Sequence, residues 1–362
     1  VTPRPVPPPT PGPALWDAIA GLPLRIDRVD REPLERATPR FVRRVTIVRL
    51  SGDGHDGVGE DVDYDPDDHP RFQAWDGLPD LRGDWTIGTF CDRVGELDLF
   101  PVPPAHDVDR RYRRWAFESA ALDLALRQSG RSLADVVERQ VRPLTFASSR
   151  GLGDPPDPAA IADLRRRVPG LGLKLDLGEA WTVDAIAAVH ETGAVEVVDL
   201  KGWYTGTIVD TPADPALYRA VIEGLPDAWI EDARTTDDTR PILDAHADRL
   251  TWDLPLQDAA DLDAFPWEPR VVNVKPSRIG GLRELSAVYA ACTSRGIGAY
   301  AGGQFELGPG RGQAQLLAAL FHPDGPNDLA PFAYNEVELV DAPPASPLTL
   351  EPASVGFRLA AD

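Results

Sequence analysis

From Pro143 onward the chain repeats one rhythm: a short apolar run, a loop, then a stretch with helical periodicity. Strand-like runs stand at Leu144–Ala147, Leu171–Leu175, Val195–Asp199, Ala228–Glu231, Leu250–Asp253, Val271–Lys275, Ile297–Ala301 and Asp328–Phe332. Helical segments such as Val183–Glu191, Pro215–Glu223, Leu282–Arg295 and Arg311–His322 lie between them. Eight strands with intervening helices match a closed parallel (β/α)8 TIM barrel. An open doubly wound sheet would carry a Gly-rich phosphate turn after its first strand. The turn here, Ser148-Ser-Arg-Gly-Leu-Gly153, lacks that spacing.

The preceding sequence has another grammar. Leu22 to about Glu60 reads as a strand meander, with partial alternation over Phe41–Leu50 and a turn signal at Ser51-Gly-Asp-Gly54. Between Arg110 and Arg139 the period becomes helical, and Gly130 and Ser132 divide it into two helices. Strands followed by helices, without alternation, predict an α+β domain. The expected organisation is a disordered Pro-rich tail over 1–15, an α+β domain over 16–142, the barrel over 143–334, and a C-terminal segment over 335–362 that packs back on the first domain.

A chain of 362 residues, 43% apolar, has room for a barrel of about 250 residues and a smaller domain. Its formal charge of -21 argues against nucleic acid and anionic membrane surfaces as partners. No apolar run is long enough to span a bilayer. Val1–Pro13 lacks the basic start and apolar stretch of a signal peptide. The two cysteines, Cys91 and Cys292, have no metal-type spacing and suit a reducing, cytoplasmic setting. A small-molecule partner is expected, and homo-oligomerisation is left open.

The barrel strands end in charge. Strand two ends Lys174-Leu-Asp176, strand three Asp199-Leu-Lys201, strand four Glu231-Asp232, strand five Asp253 and strand six Lys275. Catalytic groups of such barrels project from these C-terminal ends, and buried charge is costly unless paired or bound to metal. Asp199, Glu231 and Asp253 come from three neighbouring strands and converge, so a hard divalent cation such as magnesium would relieve their repulsion. Lys174 and Lys275 flank them from opposite strands. Two lysines across a metal-bound carboxylate could address both faces of a substrate carbon, with the cation stabilising the charge that develops. Because strand residues alternate sides, Lys174 and Asp176 share a side and are expected to pair; Asp199 and Lys201 share a side likewise.

At these residues the chain resembles the enolase superfamily, whose barrels use a lysine or histidine base with magnesium. It is similar to the muconate lactonising branch: Trp229-Ile-Glu-Asp232 looks like the fourth-strand motif and Asn273-Val-Lys-Pro-Ser-Arg-Ile-Gly-Gly281 like the sixth. Gly57-Val-Gly-Glu60 resembles the segment where an N-terminal capping domain supplies a specificity loop. The resemblance implies a capped (β/α)8 barrel, metal ligands Asp199, Glu231 and Asp253, and Lys275 as acid/base. That branch usually has Lys-x-Lys on strand two and Asp-x-Asn on strand three. Here Asp176 and Lys201 fill the second positions, so Lys201 or Lys174 takes the second acid/base role, or only one base exists. Asp176, Gln304 and Glu306 are candidate substrate contacts. The mandelate racemase branch expects a histidine near the last strands, and none of the six histidines ends a predicted strand.

The Gly-rich run Gly302–Gly312 precedes a helix and offers backbone N–H groups to a carboxylate or phosphate, with Arg311 assisting. The expected activity is elimination or isomerisation of a small carboxylate. Two other readings stay open: a metal-free Schiff-base aldolase centred on Lys275, and a barrel that binds an acid without turning it over.

Overall fold

The structure is a computed structural model that describes residues 2–38, 41–150, 157–207, 209–335 and 341–360; the turn at 151–156 lies outside the described residues. The first domain opens with β1 (Pro23–Ile26), then the antiparallel meander β2 (Arg28–Ala37), β3 (Val42–Gly52) and β4 (His55–Asp61). A further strand, β5 (Gly83–Thr86), pairs antiparallel with β1. The predicted helical stretch forms Asp107–Gln128 and Leu133–Val136, separated at the Gly130 turn.

Gly57 and Gly59 explain how the long helix lies so close to β4. A Cβ at Gly57 would sit 2.2 Å from Ala120 O, and one at Gly59 2.1 Å from Ala116 O. The Gly57–Glu60 motif is thus a packing strand rather than a loop, and the loop begins after Asp61.

The barrel strands are β6 (Ala147–Arg150), β7 (Gly172–Asp176), β8 (Val195–Asp199), β9 (Trp229–Glu231), β10 (Leu250–Thr251), β11 (Val271–Val274) and β12 (Gly298–Ala301). β6 to β10 form one parallel ladder in sequential order, and β11 pairs with β12 in another. The ladder does not close continuously. A few backbone bonds link the parts: Asn273 N to Trp252 O at 3.0 Å, Asp328 N to Ala301 O at 2.7 Å, Gly303 N to Asp328 O at 3.2 Å and Ala147 N to Asn327 O at 2.9 Å. The predicted eighth strand is reduced to bridges at Asn327 and Asp328. Pro331 follows three residues later and has no N–H to extend a ladder.

The segment expected to be a disordered tail is ordered. Val6 is buried with Val197, Trp229, Val271 and Tyr300. Pro7 O accepts from Ala299 N at 3.1 Å, and Arg4 O from Trp229 Nε1 at 3.1 Å. Composition suggested an unanchored extension, but an extended proline-rich segment exposes carbonyls that the barrel's own N–H groups can meet. The described C-terminal residues touch both parts: Leu348 bridges Leu144, while Phe357 N donates to Asp123 Oδ1 at 2.8 Å on the long helix.

Candidate active site

Asp199 and Glu231 are the last residues of β8 and β9, and Asp253 follows β10 by two positions. All three are fully buried, and one oxygen from each lies within 4.8 Å of the others. Adjacent parallel strands in register produce this: Asp176, Asp199 and Glu231 pair across β7, β8 and β9.

Each carboxylate meets cations from its own chain. Lys174 Nζ is ion-paired with Glu231, lies 3.4 Å from Asp199 Oδ2, and is 3.8 Å from Asp328 Oδ2. Lys201 Nζ lies 2.5 Å from Asp199 Oδ2 and 3.0 Å from Asp176 Oδ1. Lys275 Nζ is 2.7 Å from Asp253 Oδ2, whose other oxygen takes Arg278. The expected Lys174–Asp176 pair does not form. Lys201 lies beyond the end of β8 with φ +52°, and this turn swings its ammonium back to Asp176, leaving Lys174 to the deeper acids.

Burial sets the electrostatics, and neighbours decide the outcome. It lifts the Glu231 carboxyl to about 8 against the pull of Lys174. It would raise Asp199 as well, but Lys201 and Lys174 outweigh it and hold that group at about 2. Asp253 is likewise kept well below the usual range by Arg278 and Lys275. Among the amines, burial lowers Lys275 from its ordinary value even with Asp253 opposing. For Lys174 the balance reverses, because Glu231 and Asp199 overcome burial and hold it well above the ordinary lysine value.

The remaining expected residues divide. Asp232, with φ +52°, accepts from Asp253 N at 2.8 Å and Leu254 N at 3.0 Å, which orients the turn carrying Asp253. Glu306 accepts from Gln304 N at 2.6 Å and pairs with Arg311 at 3.1 Å. The helix Pro309–Phe321 does have a carboxylate at its start, but the protein supplies it. Glu60 accepts from Leu307 N at 2.6 Å and from Gly308 N and Gly310 N at 3.0 Å each. The expected anion site at Gly302–Gly312 is therefore filled by the first domain's own side chain. Buried Arg43 holds the same loop through Gln304 O at 3.1 Å and Phe305 O at 3.2 Å. His322 is a structural residue, buried between Tyr289 OH at 3.1 Å and Asn327 Oδ1 at 3.0 Å.

Sequence reasoning missed Asn273, Tyr300, Tyr204, Arg278 and Asp328. Asn273 Nδ2 donates to Glu231 Oε2 at 3.1 Å, and Tyr300 OH donates to the same oxygen. Tyr204 OH donates to Asp253 Oδ2 at 3.2 Å. Strand alternation could have found Asn273, two residues before Lys275. Arg278 lies on a short turn of helix, where no strand rule applies.

Family models for the C-terminal and N-terminal domains of a domain of unknown function (DUF8230) match residues 140–336 and 17–136, the first alone spanning over half of the chain. The chain belongs to this family. Among individual relatives, an N-succinylamino acid racemase of Thermus thermophilus is 27% identical over 329 residues, 83% of this chain and 82% of that protein. An o-succinylbenzoate synthase of Geobacillus kaustophilus is 26% identical over 174 residues, 48% of this chain and 40% of that protein. The chain thus aligns with less than half the length of the synthase. In fold, muconate cycloisomerase from Pseudomonas fluorescens superposes with a TM-score of 0.67 at 18% identity, covering 92% of this chain and 95% of that one. This chain thus shares the fold of enolase-superfamily proteins, a capping domain and a (β/α)8 barrel.

Proposed function

We propose that this chain is a magnesium-dependent lyase or isomerase that removes the α-proton of a small carboxylate, with Lys275 as the base. The observation that carries the reading is the buried triad of Asp199, Glu231 and Asp253, flanked by lysines from β7 and from the end of β11. The donor set fits the ion: three hard carboxylates, each offering one oxygen within 4.8 Å of the others. Those three residues would hold it. When bound, the cation supplies electrostatic stabilisation for charge that builds on a carboxylate as its α-proton leaves.

The side chains then divide the work. Lys275, its proton loosened by burial, accepts the α-proton. Lys174, held charged by Glu231 and Asp199, is a poor base and a good anchor for an anion. Lys201 sits between Asp176 and Asp199 near the opening, where it can meet a substrate carboxylate or leaving group. One effective base favours elimination or single-proton isomerisation over racemisation. The relatives bear the names of a synthase and a racemase, so likeness alone does not choose. A Schiff-base aldolase would leave the convergence of three carboxylates without a purpose.

The test is α-proton exchange in deuterated water across a library of small carboxylates, with magnesium present. Lys275→Ala should abolish exchange for any acid the native chain exchanges, and undiminished exchange would remove the assignment. Lys201→Ala should weaken substrate binding yet leave exchange at one prochiral face. Deuterium entering both configurations equally would contradict one-base chemistry. No exchange with any acid, despite tight binding, would favour a non-catalytic acid binder.

A further inference from the structure

Aromatic rings gather where the capping domain meets the Gln304–Glu306 loop, and proton abstraction does not require them. Tyr64 follows β4 by three positions, is 51% exposed, and stacks on the Arg43 guanidinium at 4.1 Å. The same guanidinium donates to Phe305 O at 3.2 Å, so capping-domain ring and barrel loop share one support. The Phe305 ring meets Phe41 at 6.3 Å and Phe332 at 6.2 Å. Phe41 is 48% exposed. On the other side Tyr204, bonded to Asp253, lies 5.1 Å beneath the Lys201 ammonium. Tyr64 itself is within electrostatic reach of Arg278, Lys201 and Glu306.

We propose that these rings form a wall for the substrate's side chain, and that the substrate is a carboxylate bearing an aromatic ring rather than a polyhydroxylated acid. This rests on the reading of the buried cluster as the place where the carboxylate sits. The anion would be met by Lys201 and Lys174, and the ring would lie against Tyr64 and Phe305, in the offset or edge-on geometry that aromatic pairs prefer. An acid sugar would need many hydroxyl partners from the same wall, and Phe41, Phe305 and Phe332 supply none. Gln304, on the same loop, is buried with its Nε2 unpartnered, one donor for a carbonyl on such a ligand.

The test is calorimetric binding of 3-phenylpropanoate, hexanoate and gluconate to the full chain with magnesium present. Phenylpropanoate should bind most tightly. Tyr64→Ala should weaken it about fivefold while leaving hexanoate nearly unchanged, as a ring contact predicts. Tyr64→Phe should retain the native affinity, and because Tyr64 is half exposed both variants should fold. Gluconate binding as tightly as phenylpropanoate, absence of phenylpropanoate binding, or an unaltered Tyr64→Ala variant would each overturn the proposal. Manganese binding followed in parallel by electron paramagnetic resonance reports on the carboxylate triad alone. If manganese binds and the aromatic preference is absent, the substrate class falls and the reading of the cluster stands.

Discussion

Two buried acidic clusters in this molecule look alike by charge and differ in what satisfies them. In the capping domain, Asp61 and Asp63 flank the fully buried Arg113, at 2.8 Å and 3.8 Å, and Asp109 adds a third acidic group beside Asp63. Its guanidinium is sandwiched between Phe100 at 3.6 Å and Phe72 at 4.1 Å. Each carboxylate also accepts a backbone N–H: Asp61 from Asp63, Asp63 from Asp65, and Asp109 from His106. In the barrel mouth, Glu231 is met by Lys174, Asn273 and Tyr300, and Asp253 by Lys275, Arg278 and Tyr204. Among the described residues these partners are all side chains. Of the three barrel acids only Asp199 takes a backbone donor, Lys201 N at 2.9 Å.

That difference separates structure from function better than acidity does. Burial lifts both Asp63 and Glu231 to about 8, so perturbed protonation marks both clusters. A backbone donor is fixed by the fold and cannot turn away without breaking a turn. A side-chain donor can rotate and yield its oxygen to an ion or substrate. The capping acids are therefore tied to fixed backbone donors, whereas the donors at Glu231 and Asp253 are side chains that can turn away, as the proposed ion site requires.

The largest contrast should appear in stability. Arg113→Ala leaves Asp61 and Asp63 buried without their cation and should cost about 3–5 kcal/mol in urea unfolding. A loss below about 1 kcal/mol would mean that the backbone donors alone satisfy this cluster. Glu231→Gln should cost far less, within about 1 kcal/mol, because Lys174 keeps Asp199 and Asp328 as partners. Equal losses for the two variants would erase the distinction.

Glu60 sharpens it through pH. Like the capping acids it is met by backbone N–H groups, yet burial and the charge of Glu306 raise it from 4.5 to about 7. A raised folded pKa gives stability that is fully present below 4.5 and is lost as pH rises through about 7. Relative to the native chain, Glu60→Gln should gain about 1–3 kcal/mol across that window and then level off. A difference constant with pH would show that the three N–H bonds hold Glu60 ionised throughout. A smaller signature belongs to Lys275. Its lowered pKa places the rising limb of proton-exchange rate below pH 10.5, with the rate falling as acid protonates the base. A limb at or above that value would remove the effect of burial.

Much of the barrel centre was legible in the sequence, because charge interrupting an apolar run at a strand's end has few cheap explanations. Asp199, Glu231, Asp253, Lys174 and Lys275 all announce themselves this way, and the structure brings them together. What strand rules cannot reach lies where the chain leaves the strand. The left-handed turn at Lys201 redirected an ion pair, and Glu60, 247 positions before Leu307, filled an anion site that looked vacant locally. The tail misled for a related reason: composition reports what a segment cannot bury, not which unpaired N–H groups await it.

On the proposed function the barrel cluster, and not its capping-domain counterpart, is an exchangeable ion site. Magnesium titrated calorimetrically into the full chain measures this most directly. One ion should bind per chain, binding should vanish in Glu231→Gln, and it should persist unchanged in Asp63→Asn. Absence of binding to the native chain, or binding that survives Glu231→Gln and is lost in Asp63→Asn, would contradict the account.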